Sequence, residues 1–470
     1  MKTKTNEDGL KKVLNTSDVL VVAFGAMIGW GWVVSSGGWI QSAGTVGTMV
    51  AFLIGGIMIY FVGLVYAELT TAMPESGGAK VFSQRAFGPI GSFICTWAVV
   101  LSYIGVVCFE ACSLPTIIQY IFPDFLKGYL YTVCGFDIYL SWLMVAIFFS
   151  ILITWINIKG VKAAAVLQKV LTIAIAGVGI VLIVMSALKG EPSNLRGQMF
   201  VGADMRSIIG SILSVAMVAP FFLFGFDVIP QAAEEINVPL KKLGKLLVFS
   251  IALAVAFYGL VVLAVGYAMN VSEIADSVDG SGLVTADAMK KVFNSEVMAK
   301  VLILGGMCGI VTSWNSFMLG GSRALMAMAD SCMIPHVFSK THPKYKTPYL
   351  SLILIGVLSI ISVFFGREML IWISNSASFA CCLTYCIVSM AFVKLRKTEP
   401  NLKRPYKVKN YKFIGFMAVI MSGVMCVMYL IPGTGCTLSP QEFVIAGGWA
   451  LLGCIFAFLC KQRYKDSFGK

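Results

Sequence analysis

The sequence predicts an all-α polytopic membrane protein with twelve transmembrane helices. Of its 470 residues, 58% are hydrophobic and only 13% are charged, about half the charged share of an ordinary soluble domain. A soluble chain of this length would need polar surfaces around more than one core, which this composition does not supply. No charge occurs between Asp18 and Glu68. Because about 20 apolar residues cross the hydrocarbon region, that stretch has room for two spans.

Further apolar stretches follow along the whole chain. Glycine and proline interrupt several of them, which membrane helices tolerate where other groups pair with the freed backbone. We predict spans one to twelve at residues 19–41, 47–71, 91–121, 138–155, 163–188, 207–229, 246–267, 301–322, 348–365, 369–393, 413–431 and 443–460.

Lysine and arginine are distributed unevenly between the predicted loops. With the N-terminus inside, most of the 36 basic residues fall in cytoplasmic segments, as the tendency of short basic loops to stay inside requires. We therefore predict a multi-pass protein of the cell membrane, with both termini cytoplasmic. The net charge of +13 then suits an anionic lipid surface, and no nucleic-acid partner is expected.

Motifs for catalysis and metal binding are absent from the sequence. There is no GxSxG, HExxH or P-loop pattern, and the thirteen cysteines form no CxxC pair. Both histidines fall in one basic loop, which is a poor metal site. We expect no enzyme, no metal and no cofactor. A secondary transporter, a receptor or a channel remains, and a channel is disfavoured because no filter motif or ring of like charge is apparent.

Two predicted spans carry helix-breaking residues near their midpoints. Span one contains Gly25, Gly29 and Gly31, and span six contains Pro220 and Gly225. Such breaks are costly unless they line a polar cavity or contact a ligand. Because these spans begin successive sets of five spans, the breaks indicate an inverted repeat with a substrate site between the unwound segments. The free N-H groups of these segments can hold a carboxylate, and their free carbonyls can hold an ammonium. The alternative is close helix packing at small residues.

Three acidic residues lie in or near predicted spans, where each is costly without a function. For Glu68, near the end of span two, we expect a structural bond to the following loop. Glu110 has no basic residue within a helical turn, so it either handles substrate or a proton, forms a structural bond, or lies in a water-exposed vestibule. Asp227 lies at the second break and could titrate during transport. Ser313 and Phe317 share one face of span eight.

Short motifs occur in a fixed order along nearly the whole chain. They are IGWG at 28–31, YAEL at 66–69, PESGG at 74–78, RAFGP at 85–89, GFD at 225–227, AEEINVP at 233–239, SR at 322–323, DSCMIP at 330–335 and RPY at 404–406. This ordered set resembles the amino acid, polyamine and organocation (APC) superfamily of permeases, which have a LeuT-type fold. The resemblance implies two inverted five-helix repeats at 18–200 and 201–395, two further helices at 411–460, and cytoplasmic tails at 1–17 and 461–470.

The resemblance also implies a substrate site between spans one, three, six and eight. By motif match, the backbone near the first break would meet the substrate carboxylate, and the second break would meet the amino group, with Phe221 as an aromatic gate. The implied substrate-binding residues are Ala26, Met27, Ile28, Gly29, Trp30, Gly31, Phe221, Phe224, Gly225, Ser313 and Phe317. Glu110 and Asp227 are the candidates for handling a proton or cation.

Two positions depart from the family pattern. Relatives usually have a small residue where this chain has Trp30, so its bulk is expected to reshape the carboxylate subsite. Some relatives have a lysine at the position of Ile175, seven residues after a glutamine that matches Gln168, so lysine-based ion coupling is not supported.

The expected function is secondary transport or exchange of amino acids by alternating access. The alternative is transport of polyamines or other cationic amines, and a permease-like nutrient sensor is less favoured. The expected partners are a small-molecule amino acid or amine, the lipid bilayer, and a coupling proton or exchange substrate.

Overall fold

The computed structural model describes residues 10–433 and 436–469. In these ranges the chain forms sixteen α-helices and one β-hairpin with strands β1 (Tyr129–Val133) and β2 (Phe136–Tyr139). The helices are α1 Thr16–Met27, α2 Gly31–Ala43, α3 Thr45–Ala72, α4 Ala79–Ile121, α5 Leu140–Lys159, α6 Val161–Lys189, α7 Met205–Val218, α8 Val228–Gln231, α9 Leu240–Ala268, α10 Val271–Asp279, α11 Val284–Phe293, α12 Glu296–Asp330, α13 Tyr349–Ser362, α14 Gly366–Thr398, α15 Tyr411–Met428 and α16 Pro440–Tyr464.

The prediction of a polytopic all-α membrane protein is confirmed. Within the described residues, ten helical segments are long and apolar enough to cross a bilayer, including the interrupted segment Met205–Gln231. The pair α1 and α2, which is bent by 45°, brings the number to eleven. Helix α13 with its following turn, Tyr349–Phe365, is apolar but shorter. The full count of twelve spans and the inverted repeat therefore stay predictions.

Helix α4 begins earlier than the sequence prediction of residue 91. It starts at Ala79 and passes through a kink at Gly88, whose φ is 75°. The first part of α4 is more polar than the rest, so hydropathy alone places the start of the span too late. Helices α10 and α11 escaped prediction for the same reason, because they are short and carry several charged residues.

The central helices surround the interrupted first span. Helix α1 packs against α6, α9 and α12, while α4 packs against α12 and α14. Helix α16 lies at the edge of the bundle and keeps most of its surface exposed. The two breaks therefore lie in the protein interior, where their free backbone groups meet other helices.

Glu68 has a structural role, but the expected bond to the following loop is wrong. Its carboxylate lies 2.5 Å from Arg396 and 3.0 Å from Arg404, and it accepts a hydrogen bond of 2.7 Å from the backbone N-H of Val408. These partners belong to α14 and the segment before α15. The ion pairs are buried, so Glu68 fastens α3 to a distant part of the chain.

Candidate functional site

The interruptions of the first and sixth predicted spans touch each other. Helix α1 ends at Met27, and α7 passes into a 3-10 turn, Ala219–Leu223, before α8 begins. Gly225 between them has a φ of 127°, and a Cβ added there would lie only 2.6 Å from the Cβ of Ala26. This backbone conformation and close approach both require glycine. The two breaks therefore form a single interrupted region.

Side chains from neighbouring helices bind the backbone carbonyls of α1. The hydroxyl of Thr312 donates to the carbonyl of Gly25 at 2.9 Å, and that of Tyr258 donates to Met27 at 2.9 Å. The hydroxyl of Ser316 donates to Val22 at 3.3 Å. These bonds hold the end of α1 from α9 and α12, so the break is part of a defined hydrogen-bonded structure.

The position of Ile175 is filled by packing. A Cβ on Gly309 would lie 2.3 Å from the Cδ1 atom of Ile175, so the isoleucine side chain fits against α12 where that helix has no side chain. Nearby, Gln168 and Thr172 donate to the carbonyl of Val21 at 3.4 and 3.3 Å. This side of α1 therefore meets neutral amide, hydroxyl and alkyl groups of α6.

The N-terminus of α2 has no side-chain cap. Its N-cap is Trp30, and the backbone around Gly29 and Gly31 borders a cavity. The first N-H groups of a helix lack intrahelical acceptors and, with the helix dipole, favour a negative group. This helix end therefore offers a position for a carboxylate.

A central cavity of about 250 Å³ lies beside the two breaks. Most residues predicted for the site line it, while Ile28, Gly225 and Asp227 do not. The predicted residues that line it are Ala26, Met27, Gly29, Trp30, Gly31, Glu110, Phe221, Phe224, Ser313 and Phe317. The structure thus brings together parts of α1, α2, α4 and α12 and the turn after α7.

Glu110 has the only formally charged side chain among the described residues that line the central cavity. It is 6% exposed, and its Oε2 atom has no hydrogen-bond partner within the described part of the chain. A Cβ on Gly29 would lie 3.8 Å from its Oε1 atom and 3.6 Å from the Cβ of Ser313. A buried carboxylate without a cationic partner is costly, so Glu110 is suited to bind a positively charged group.

Trp30 lies against a gap in α12. A Cβ on Gly306 would lie 2.2 Å from the Cζ3 atom of the indole, so the ring occupies the space that a side chain at this position would take. Trp30 is 9% exposed and also lines the central cavity. This contact with α12 therefore accommodates much of the bulky Trp30 side chain.

Asp227 fastens the second break to two other helices. Its carboxylate accepts hydrogen bonds from the hydroxyl of Tyr103 on α4 at 2.6 Å and of Tyr385 on α14 at 3.0 Å. The backbone N-H of Gly225 donates to the same carboxylate at 3.2 Å. The aspartate is buried and does not line the cavity. It therefore joins three helices and makes no direct contact with the cavity.

Several cavity residues were missed by the sequence analysis. Tyr258 and Phe222 line the cavity, as do Ser102 of α4 and Ser378 of α14. Tyr258 could have been noticed as a polar group within an apolar span. The serines gave no comparable signal, because small hydroxyl residues occur throughout these helices and only helix rotation determines which of them face inward.

The central cavity extends toward one end of the bundle. Ser35 of α2 and Tyr120 of α4 line it. Ser35 belongs to the second half of the first span and Tyr120 to the C-terminal end of α4, so both lie away from the side where α1 begins and α16 ends. On the terminal side, Glu235 and Arg323 form a buried ion pair of 2.9 Å. Leu14 also forms a parallel backbone bridge with Ile236 there. The structure is thus closed on the side of the termini.

Comparison with known proteins gives the family. Residues 14–455 match the family model for amino acid permeases. The branched-chain amino acid permease BcaP of Bacillus subtilis (strain 168) is 25% identical, covering 98% of this chain and 95% of the relative. The methylthioribose transporter of the same organism is 24% identical (99% and 96%), and its aspartate-proton symporter is 24% identical (99% and 92%). The chain therefore belongs to the amino acid permease family of the APC superfamily.

Proposed function

We propose that this protein is a secondary transporter that carries amino acids across the cell membrane by alternating access. The observation that carries the proposal is the meeting of two interrupted helices beside a cavity that contains the carboxylate of Glu110. Membership of the amino acid permease family supports the same function. Transport, not catalysis, is also the activity in the names of the relatives.

The site has complementary groups for both charges of an α-amino acid. The uncapped N-terminus of α2 favours the carboxylate, and Glu110 favours the ammonium. Both lie next to Gly29, which matches a substrate that carries both charged groups on one carbon. The remaining wall includes Phe109, Val106 and Phe317. We therefore propose that the substrate is an amino acid with an uncharged side chain.

A cationic amine is the second candidate substrate. Glu110 favours it because this carboxylate is the only formal charge among the described residues of the cavity wall. An amine without a carboxylate would leave the N-terminus of α2 unmatched, so the geometry favours the zwitterion. A nutrient sensor would bind the same ligands and move none of them.

Counterflow distinguishes these functions. Vesicles containing the purified protein would be preloaded with single amino acids or diamines and tested for uptake of the labelled compound. We expect uptake driven by neutral amino acids. Uptake driven only by diamines would establish the second candidate, and binding without uptake would establish a sensor. Empty vesicles and vesicles with Gly31→Val protein are the controls.

The one-sided cavity supports alternating access. With both termini in the cytoplasm, as the basic loops predict, this conformation opens to the outside. Release to the inside then requires the ion pair between Glu235 and Arg323 to separate. We propose this ion pair as the inner closure of the transport path.

Replacing Gly31 with valine is expected to reduce uptake at least tenfold. A Cβ at this position would lie 2.4 Å from the Cδ1 atom of Phe222, and Phe222 is itself packed against Trp39 and Phe221. The added side chain would displace the cavity wall beside the N-terminus of α2. Uptake by reconstituted protein measures the effect. Gly38→Ala is the control on α2, because outside its own stretch of helix no atom lies within 4 Å of its added Cβ.

Replacing Asp227 with asparagine is expected to flatten the pH dependence of uptake while the dissociation constant stays close to wild type. The aspartate joins Tyr103 and Tyr385 but does not line the cavity. Asparagine keeps the shape and removes the titratable group. Uptake and ligand binding would be measured from pH 5 to 8. An unchanged pH profile would exclude Asp227 from proton-linked transport.

A further inference from the structure

A second cavity lies on the lipid-facing surface, away from the interrupted helices. This α16 groove has a volume of about 480 Å³ and is bordered by α4, α14 and α16. Its wall is apolar, with side chains such as Ile94, Leu383 and Ala450. Lys461 is the only charged residue among the described residues that line it. The groove therefore combines a long apolar surface with a single positive charge.

Aromatic rings form the floor of the α16 groove. Phe468 stacks on Phe93 at 6.3 Å, Phe93 stacks on Trp97 at 5.7 Å, and Trp97 stacks on Trp449 at 4.5 Å, measured between ring centroids. Each indole N-H donates to the backbone carbonyl of the other tryptophan, at 2.8 and 3.0 Å. With these polar groups paired, the floor presents a rigid apolar surface that suits an alkyl chain.

The length of the groove matches one leaflet of a bilayer. The part of α16 that lines the groove, from Ala446 to Lys461, rises about 22 Å at 1.5 Å per residue, and one leaflet with its headgroup region is about 20–22 Å thick. Lys461 and the exposed Arg463 lie in the last turns of α16, on the side of the chain termini. In a bilayer crossed by α16, this arrangement places the positive charge at the membrane surface and the tryptophan pair deeper in the hydrocarbon region.

We propose that the α16 groove is a binding site for an anionic phospholipid, with an acyl chain on the aromatic floor and the headgroup phosphate beside Lys461. The occupant follows from charge complementarity and from the length of the groove. A second copy of the chain fits less well, because a twofold contact across this surface would bring Lys461 and Arg463 of both copies close together. The proposal concerns a surface separate from the proposed transport site.

Lipid binding to the purified full-length protein tests the proposal. Native mass spectrometry would compare phosphatidylglycerol with phosphatidylethanolamine carrying the same acyl chains. We expect phosphatidylglycerol to bind about fivefold more tightly, the effect of one basic residue at a membrane surface. Lys461→Gln should abolish this preference. Ala450→Trp, which fills the groove, should weaken the binding of both lipids.

Two matched variants control for changes outside the groove. Lys412→Gln removes an exposed lysine of α15, and Leu451→Trp adds an indole to an exposed position of α16 that does not line the groove. Both should retain wild-type lipid binding. Equal binding of the two lipids to the wild type, or equal losses in Lys461→Gln and Lys412→Gln, would overturn the proposal. A dimer that is lost in Ala450→Trp would identify the groove as a contact between two copies.

Discussion

Replacing Glu110 with glutamine should weaken amino acid binding about a hundredfold, because removing one partner of a buried charge pair costs roughly 2–5 kcal/mol. The side chain is buried beside Gly29 and supplies the only formal charge of the central cavity among the described residues. Glutamine keeps the size but loses the charge that pairs with a substrate ammonium. Isothermal titration of the purified protein with a transported amino acid measures the loss.

Two comparisons make the Glu110 result specific. Glu110→Asp keeps the charge on a shorter side chain and should bind better than Glu110→Gln. Ligands that lack the amino group should lose little affinity in Glu110→Gln, because they have no ammonium to place. If the glutamine variant binds the zwitterion as tightly as wild type, Glu110 has no part in substrate recognition.

Replacing Gly225 with alanine should reduce transport to background. The φ of 127° at this position is unfavourable for residues with a Cβ, and the new Cβ would lie 2.6 Å from the Cβ of Ala26 and 3.0 Å from its carbonyl carbon. Because backbone atoms are involved, side-chain rotation does not relieve the contact, and the two breaks must move apart. Uptake by reconstituted protein measures the effect, and size-exclusion chromatography shows whether the variant is folded.

A second substitution tests this explanation. Ala26→Gly removes the closest atom and should restore part of the transport in Gly225→Ala protein. Gly259→Ala on α9 is the control, since outside its own stretch of helix no atom lies within 4 Å of its added Cβ, and it should transport like wild type. Undiminished uptake by Gly225→Ala would show that transport does not depend on the close approach of the breaks.

The interruptions and the buried acid could be predicted because both are costly in a membrane. Clustered glycines at 25, 29 and 31, a proline at 220 and a glycine at 225 stand out within apolar stretches, and the structure has breaks at both places. Glu110 stands out because it has no local partner, and the structure places it at the cavity. Such residues can be recognised in the sequence before the neighbouring helices are known.

The partners of these residues could not be predicted, because they depend on how helices rotate and pack. Asp227 binds Tyr103 and Tyr385, which are distant in sequence and resemble many other aromatic residues of the chain. Glu68 likewise pairs with Arg396 and Arg404, which are also distant in sequence. The start of α4 was missed because hydropathy marks the apolar part of a helix and not its backbone limits.

The double connection between the first span and the end of the sixth limits how the protein can move. Gly225 lies against Ala26 near the end of α1, and Leu14, two residues before the start of α1, bridges Ile236. The first span and the segment from Gly225 to Ile236, which contains α8, are thus in contact at two separated points. We therefore expect that neither segment tilts alone and that opening toward the side of the termini moves both together.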